Sequence, residues 1–70
     1  MKFHEILRQR RLALGLTQEQ LAQRLGVSAP AVNKWERNNS YPDITLLPPL
    51  ARLLEVDLNT LLSFQEELTE

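Results

Sequence analysis

Apolar side chains recur every three or four positions along most of this chain, the spacing that gathers them on one face of an α-helix. At the start of the chain this stripe consists of Phe3, Ile6, Leu7 and Leu14. Gly15 follows directly, and glycine commonly ends a helix because it adopts left-handed backbone angles at little cost. The pattern predicts a first helix from about residue 3 to residue 14.

A second helix is predicted from about residue 18 to residue 25. Thr17 and Gln20 have the three-residue spacing of a capping box, in which each side chain bonds the other residue's backbone N–H. Gly26 lies just past the last apolar position, where a helix usually stops.

A third helix is predicted from about residue 29 to residue 37, only a few residues after the second helix ends. Ser28 is a favoured N-cap residue, and Asn38 suits a left-handed exit where glycine is absent. Val32 and Trp35 fall on one face, so we expect the tryptophan in the core rather than as a stacking platform. Two short helices joined by a tight turn form a helix-turn-helix.

The start of the fourth helix is less regular, because Pro48 and Pro49 interrupt the pattern. Proline is tolerated in the first turn of a helix. In the helix interior, proline removes a backbone hydrogen bond and clashes with the preceding turn, which destabilises the helix by about 3 kcal/mol. We therefore expect Thr45 to cap a helix from about residue 46 to residue 54. A separate tight turn is expected at residues 43–45.

A short fifth helix is predicted after Asp57, which is a favoured capping residue. It is built around Leu58, Leu61 and Leu62. The fourth and fifth helices are rich in leucine and carry no side chains suited to reading a base, so we expect both to close the core.

The segment from residue 16 to residue 36 carries the most specific pattern in the chain. Its sequence, LTQEQLAQRLGVSAPAVNKWE, matches every fixed position of L-T-Q-x-x-L-A-x-x-L-G-V-S-x-x-x-V-x-x-W-E. On these residues the chain resembles the lambda-repressor-like (Xre/Cro-type) helix-turn-helix family, and the likeness continues through residues 42–61. The resemblance implies an all-α fold, a compact five-helix bundle with helices 2 and 3 as the helix-turn-helix, that binds double-stranded DNA sequence-specifically.

The composition agrees with one small domain spanning residues 1–70. The chain has no cysteine and a single histidine, His4, so it offers neither a disulfide nor a metal-ligand set. It also lacks a glycine-rich phosphate loop and paired carboxylates, so we expect no enzymatic activity and no cofactor. No apolar run is long enough for a membrane span and no signal peptide opens the chain, which indicates a cytoplasmic protein. Residues 65–70 carry no helix stop signal, which is compatible with an N-terminal domain of a longer protein.

The charges are distributed unevenly, although the net charge is only −1. Residues 1–37 carry seven basic and three acidic side chains, a net charge of +4, whereas residues 38–70 carry one basic and six acidic side chains, a net charge of −5. The half that holds the helix-turn-helix can therefore still release counterions from DNA phosphates.

By the same resemblance, four residues at the start of the third helix are in position to read bases: Ala29, Pro30, Asn33 and Lys34. Lys34 can donate to guanine O6 or N7, and Asn33 can pair with adenine N6 and N7. Ala29 and Pro30 depart from the polar residues of well-studied family members and cannot hydrogen-bond a base through their side chains. They can pack against a thymine methyl group.

The resemblance also implies contacts to the DNA backbone around the third helix. Gln18 falls in the first turn of the second helix, where its amide and the unpaired backbone N–H groups can hold a phosphate. The complete set of phosphate candidates is Arg10, Thr17, Gln18, Ser28, Arg37, Asn38, Asn39 and Tyr41.

Arg11 falls on the apolar stripe of the first helix, so we expect its charge to be partly buried. A buried charge needs a partner because its desolvation costs several kcal/mol. The resemblance supplies Glu36, the acidic residue of the W-E pair, and the alternative is two solvated surface charges. A salt bridge between the two would lock the first helix against the third.

Three functional interpretations remain open. The leading one is a transcriptional regulator, with repression favoured, that binds operator DNA as a homodimer on paired half-sites one helical turn apart. The second is an antitoxin-type module whose main partner is a protein, docked by the acidic C-terminal half. The third is a phosphate-binding or non-specific architectural protein, which the net charge of −1 disfavours.

Overall fold

The apolar stripes of the sequence fold as five α-helices in the part of the chain that the computed structural model describes, residues 2–62, with side chains described as far as Leu61. In chain order the helices are α1 (Phe3–Ala13), α2 (Gln18–Leu25), α3 (Ala29–Glu36), α4 (Leu47–Leu54) and α5 (Leu58–Leu62). A 3-10 turn, Ile44–Leu46, lies directly before α4. The predicted all-α, five-helix fold is confirmed.

The predicted caps of the helix-turn-helix are present. The Thr17 hydroxyl accepts a hydrogen bond from the backbone N–H of Gln20 at 3.0 Å, and Gln20 Oε1 accepts one from the backbone N–H of Thr17 at 2.9 Å. Gly26 ends α2 with a left-handed φ of 81°. The Ser28 hydroxyl then accepts from the backbone N–H of Ala31 at 3.3 Å and opens α3.

The end of α3 is closed by backbone bonds around Asn38, which has a left-handed φ of 61°. The backbone N–H of Asn38 donates to the carbonyl of Trp35 at 3.2 Å, and the backbone N–H of Asn39 donates to the carbonyl of Lys34 at 2.9 Å. This pair of bonds is the Schellman arrangement, which satisfies carbonyls that the helix leaves unpaired. The left-handed exit predicted at this position is confirmed.

The core lies where α4 packs on α1, α2 and α5, with α3 closing the other side against α1 and α2. Trp35 is only 5% exposed and belongs to this core, as predicted. The side chains at the centre are fully buried: Leu7, Leu21, Val32, Leu50 and Leu54. Leu61 of α5 is buried as well, whereas the side chain of Leu62, also predicted here, lies outside the described residues.

The entry to α4 corrects one prediction. Thr45 does not cap the helix: it lies inside the 3-10 turn, and its hydroxyl donates a hydrogen bond to the carboxylate of Asp43. The turn leads directly into α4, and the backbone N–H of Leu47 bonds the carbonyl of Ile44. A side-chain cap is not needed because Pro48 and Pro49 occupy the first turn and have no N–H to satisfy.

Candidate nucleic-acid interface

The four residues that the sequence predicts to read bases lie on one exposed side of α3. Positions three and four residues apart share a helix face, and Ala29, Pro30, Asn33 and Lys34 line a shallow depression together with Gln18 of α2. Pro30 and Lys34 are exposed, whereas Ala29 and Asn33 are half-buried. The structure therefore places the four predicted base-reading residues on a single surface, where one binding partner can contact all of them.

Behind this surface, Arg11 and Glu36 form an ion pair that joins α1 to α3. Arg11 Nε donates to Glu36 Oε2 at 2.6 Å and Arg11 Nη2 donates to Glu36 Oε1 at 3.0 Å, while the two side chains are only 10% and 4% exposed. Arg11 Nη1 also donates to the carbonyl of Leu16 at 2.8 Å. The guanidinium thus fixes α1, α3 and the loop before α2 relative to one another.

Two side-chain amides extend this ion pair to the exposed side of α3. Gln18 Nε2 donates to Glu36 Oε1 at 3.1 Å, and Asn33 Nδ2 donates to Gln18 Oε1 at 3.2 Å. Both amide residues are half-buried. A continuous chain of polar contacts therefore runs from Arg11 through Glu36 and Gln18 to Asn33.

A basic rim lies beside this chain of contacts. Arg8 and Arg37 line the same cavity as Gln18, Asn33 and Glu36, and both arginines are exposed. Arg8 was not among the predicted phosphate candidates. The sequence feature that indicates its position is the spacing of three residues to Arg11, which places both arginines on one side of α1.

Arg10, which was predicted to contact phosphate, lies in a different place. Residues two positions apart are about 200° apart around a helix, so Arg10 and Arg8 point to opposite sides of α1. Arg10 Nε donates to the carbonyl of Leu54 at 2.9 Å, and the group is partly buried. Its visible contact stabilises the C-terminal end of α4, where carbonyls lack helical partners.

The remaining predicted phosphate candidates surround the start and the end of α3. Thr17 and Ser28 are exposed N-cap residues of α2 and α3. Asn38 and Asn39 are exposed in the turn that follows α3. Tyr41 is 50% exposed and its ring lies against Phe3, with 5.7 Å between the ring centroids.

Within the described residues, no group of three potential ligands is placed to hold a metal ion. In the same part of the chain, none of the helices has the length and apolar character that crossing a membrane requires. The chemistry that this site offers is hydrogen bonding and charge pairing.

A family profile described as helix-turn-helix matches residues 7–61, which include all of α2 and α3. The chain belongs to the Xre-type helix-turn-helix family. This family consists of transcription-factor DNA-binding domains and not of enzymes, which agrees with the sequence-based prediction.

Among curated proteins, the chain is similar to the HTH-type transcriptional activator BcrR of Enterococcus faecalis, with 42% identity over 69 residues. The match covers 99% of this chain and 34% of BcrR. The chain therefore spans about a third of the length of this relative.

Among solved structures, the chain is similar to the P22 c2 repressor in complex with a synthetic operator, with a TM-score of 0.84 and 31% identity over 91% of this chain and 97% of that one. It is also similar to a chain of the SinR–SinI protein complex, with a TM-score of 0.77 and 31% identity over 96% of this chain and 65% of that one. The chain therefore has a fold similar to that of the P22 c2 repressor domain.

Proposed function

We propose that this chain is the DNA-binding domain of a sequence-specific transcriptional regulator that inserts α3 into the major groove. The observation that carries the proposal is the exposed side of α3, where Ala29, Pro30, Asn33 and Lys34 lie together beside a basic rim. An α-helix fits the major groove, in which each base pair presents a distinct pattern of donors, acceptors and methyl groups.

The surroundings of α3 suit the phosphates that border a major groove. Arg8 and Arg37 supply exposed positive charge on one side of the groove-facing surface. Thr17 and Ser28 mark the N-terminal ends of α2 and α3, where unpaired backbone N–H groups favour an anion. Phosphate contacts of this kind would set the register of the domain on DNA without reading sequence.

A single domain of this size reads few base pairs, so we propose a homodimer on two half-sites related by two-fold symmetry. The sequence favours repression, and the proposed surface is equally compatible with activation. One similar protein is named as an activator and another as a repressor. The same groove-reading surface can serve an activator or a repressor.

In vitro selection of bound DNA tests the proposal. We expect a two-fold symmetric motif whose half-site centres are about 10–10.5 base pairs apart. A parallel selection with a protein in which Asn33 and Lys34 are both replaced by alanine should lose the motif while retaining salt-sensitive binding to unselected DNA. Selection of no motif by the unchanged protein would contradict the proposed function.

A protein partner is the second candidate function, favoured by the likeness to SinR in a complex with SinI. The acidic half of the chain would supply the docking surface, with Asp43, Glu55 and Asp57 exposed. Glu66 and Glu67, which the sequence analysis counted in the acidic half, lie outside the described residues. A stoichiometric complex with a co-encoded protein, together with no selective DNA binding, would favour this function over the first.

A further inference from the structure

The amide of Gln18 is held in one orientation by the buried ion pair. Glu36 Oε1 accepts from Arg11 Nη2 at 3.0 Å and from Gln18 Nε2 at 3.1 Å. A carboxylate offers acceptors only, so a reversed Gln18 amide would set its oxygen against a carboxylate oxygen in a side chain that is 4% exposed. An unpaired acceptor is costly in such surroundings, which fixes the donor end of Gln18 toward Glu36.

The orientation of Gln18 then determines the orientation of Asn33. With Nε2 turned to Glu36, Gln18 presents Oε1 to α3, and Asn33 Nδ2 donates to it at 3.2 Å. A side-chain amide has two N–H donors and one oxygen acceptor. Gln18 takes one donor of Asn33, which leaves one N–H and Oδ1 for another partner.

We propose that Gln18 is a positioning residue for base recognition, which holds the Asn33 amide ready to pair with adenine. The donor and the acceptor that Asn33 retains are the two groups that adenine N7 and N6 require. The inference rests on the proposed function, since it places Asn33 in the major groove. It assigns Gln18 a role in sequence preference that a phosphate contact would not give it.

Selection of bound DNA by variants tests this role. In Gln18→Met the amide is lost while the side-chain length is kept, and we expect the adenine preference at one position of each half-site to fall about tenfold. Asn33→Ala should lose the preference at the same position, and the double variant should lose no more than Asn33→Ala. Gln23→Met is the matched control, because Gln23 is an exposed residue on the same helix, and its selected motif should be unchanged.

The readout is the preference between bases at each position, because loss of a phosphate contact lowers affinity for all sequences alike. If Gln18→Met binds more weakly with every base preference intact, the positioning role is overturned. If Asn33→Ala keeps the full motif, Asn33 does not read a base and the proposal is equally overturned. Thermal melts of all four variants confirm that each one is folded.

A measurement on the protein without DNA separates this inference from the proposed function. The side-chain N–H signals of Asn33 in an NMR spectrum should shift and exchange faster with solvent in Gln18→Met, and should be unchanged in Gln23→Met. Unchanged Asn33 signals in both variants would overturn the contact chain itself. If the signals respond while the unchanged protein selects no DNA motif, the proposed function fails and the base-positioning role fails with it, but the contact chain stands.

Discussion

Lys34 is the only charged residue among the four side chains that we propose to face the bases. It is exposed on α3, and a lysine in the major groove donates to guanine O6 or N7. We expect Lys34→Ala to cost about 1–3 kcal/mol of binding free energy and to relax the preference at one position of the selected motif. Lys34→Arg should retain the guanine preference. Affinity measurements on the selected site and its single-base variants make the comparison, and an unchanged motif in Lys34→Ala would remove this residue from the reading set.

Pro30 offers the bases only apolar surface. It is exposed beside the half-buried Ala29, so a thymine methyl group is the partner that these side chains suit. We expect replacement of a thymine by uracil in the half-site to weaken binding about fourfold, since burial of one methyl-sized group contributes about 0.8 kcal/mol. In Pro30→Ser the same replacement should matter less. Equal affinity for thymine and uracil sites at every position would contradict a methyl contact.

Contacts between side chains of different helices could be predicted from the sequence only where a local pattern or the family resemblance indicated them. The stripe position of Arg11 indicated burial, and the resemblance supplied Glu36 as its partner. The contact between Gln18 and Asn33 joins residues 15 positions apart, and no spacing rule within a helix reports it. Charge alone does not distinguish Arg10 from Arg8, and the 200° between them around α1 places Arg8, rather than Arg10, among the residues that line the cavity beside α3.

At the scale of elements, the Arg11–Glu36 pair holds α1 against α3. The two side chains are 10% and 4% exposed, so removal of one partner leaves a buried charge without compensation. We expect Arg11→Ala or Glu36→Ala to lower the free energy of unfolding by about 3–5 kcal/mol, a large share of the stability of a small domain. Arg24→Ala, at an exposed arginine of α2, is the control and should cost less than about 0.5 kcal/mol.

Thermal and denaturant unfolding of the two single variants and the double variant decides whether the charges act as a pair. The double variant should be destabilised by much less than the sum of the single effects, because the second substitution removes the charge that the first one stranded. Additive effects below about 1 kcal/mol would mean that the two groups contribute as separate surface charges.

The start of α4 shows which structural features local sequence rules predict and which they miss. Proline stereochemistry limited the helix to a start just before Pro48, and α4 does begin at Leu47. The same reasoning wrongly made Thr45 a cap, because it did not foresee that a 3-10 turn would run into the helix and bond its first N–H. The hydroxyl of Thr45 serves Asp43 instead.

The hydrogen bond between Thr45 and Asp43 leads to a prediction about how stability depends on pH. The hydrogen bond from the Thr45 hydroxyl holds the pKa of Asp43 below its usual range, although desolvation opposes it, and the backbone N–H groups of Thr45 and Ile44 lower the pKa further. A carboxyl group with a lowered pKa in the folded state stabilises the fold above its unfolded pKa of about 3.9, and this contribution is lost as the pH falls through the lower, folded value.

NMR titration of the Asp43 carboxyl group checks the direction. Thr45→Val removes the hydroxyl and keeps the branched shape of the side chain, so we expect the midpoint for Asp43 to rise toward its usual range. The stability of this variant should accordingly depend less on pH below about 4. The same midpoint in both proteins would show that the hydroxyl does not bond the carboxylate in solution.

At the scale of the whole molecule, the charges divide the chain into a basic half with the helix-turn-helix and an acidic half. Residues 1–37 carry +4 and residues 38–70 carry −5, so the net charge alone would misrepresent the DNA-binding potential of the surface. What the sequence could not supply was the three-dimensional grouping of the positive charges. The structure gathers Arg8 and Arg37 beside α3 and draws Arg10 to the end of α4.

This grouping determines the expected salt dependence of DNA binding. Each phosphate that a cation neutralises contributes about −0.9 to the slope of log affinity against log salt concentration. With Arg8, Lys34 and Arg37 as contacts, one domain should give a slope of roughly −2 to −4, and a two-fold dimer about twice that value.

The two arginines on opposite sides of α1 provide a matched test of that grouping. Arg8→Gln should reduce the magnitude of the slope by about 0.9 for each domain bound, since one phosphate contact is lost. Arg10→Gln carries the same loss of charge in the same helix, yet it should leave the slope unchanged and lower thermal stability, because Arg10 bonds the carbonyl of Leu54. Glu55→Gln, at an exposed acidic residue after α4, controls for net charge and should also leave the slope unchanged. If Arg10→Gln reduced the slope and Arg8→Gln did not, the DNA would have to lie across the other side of α1, and the proposed orientation of α3 in the groove would be wrong.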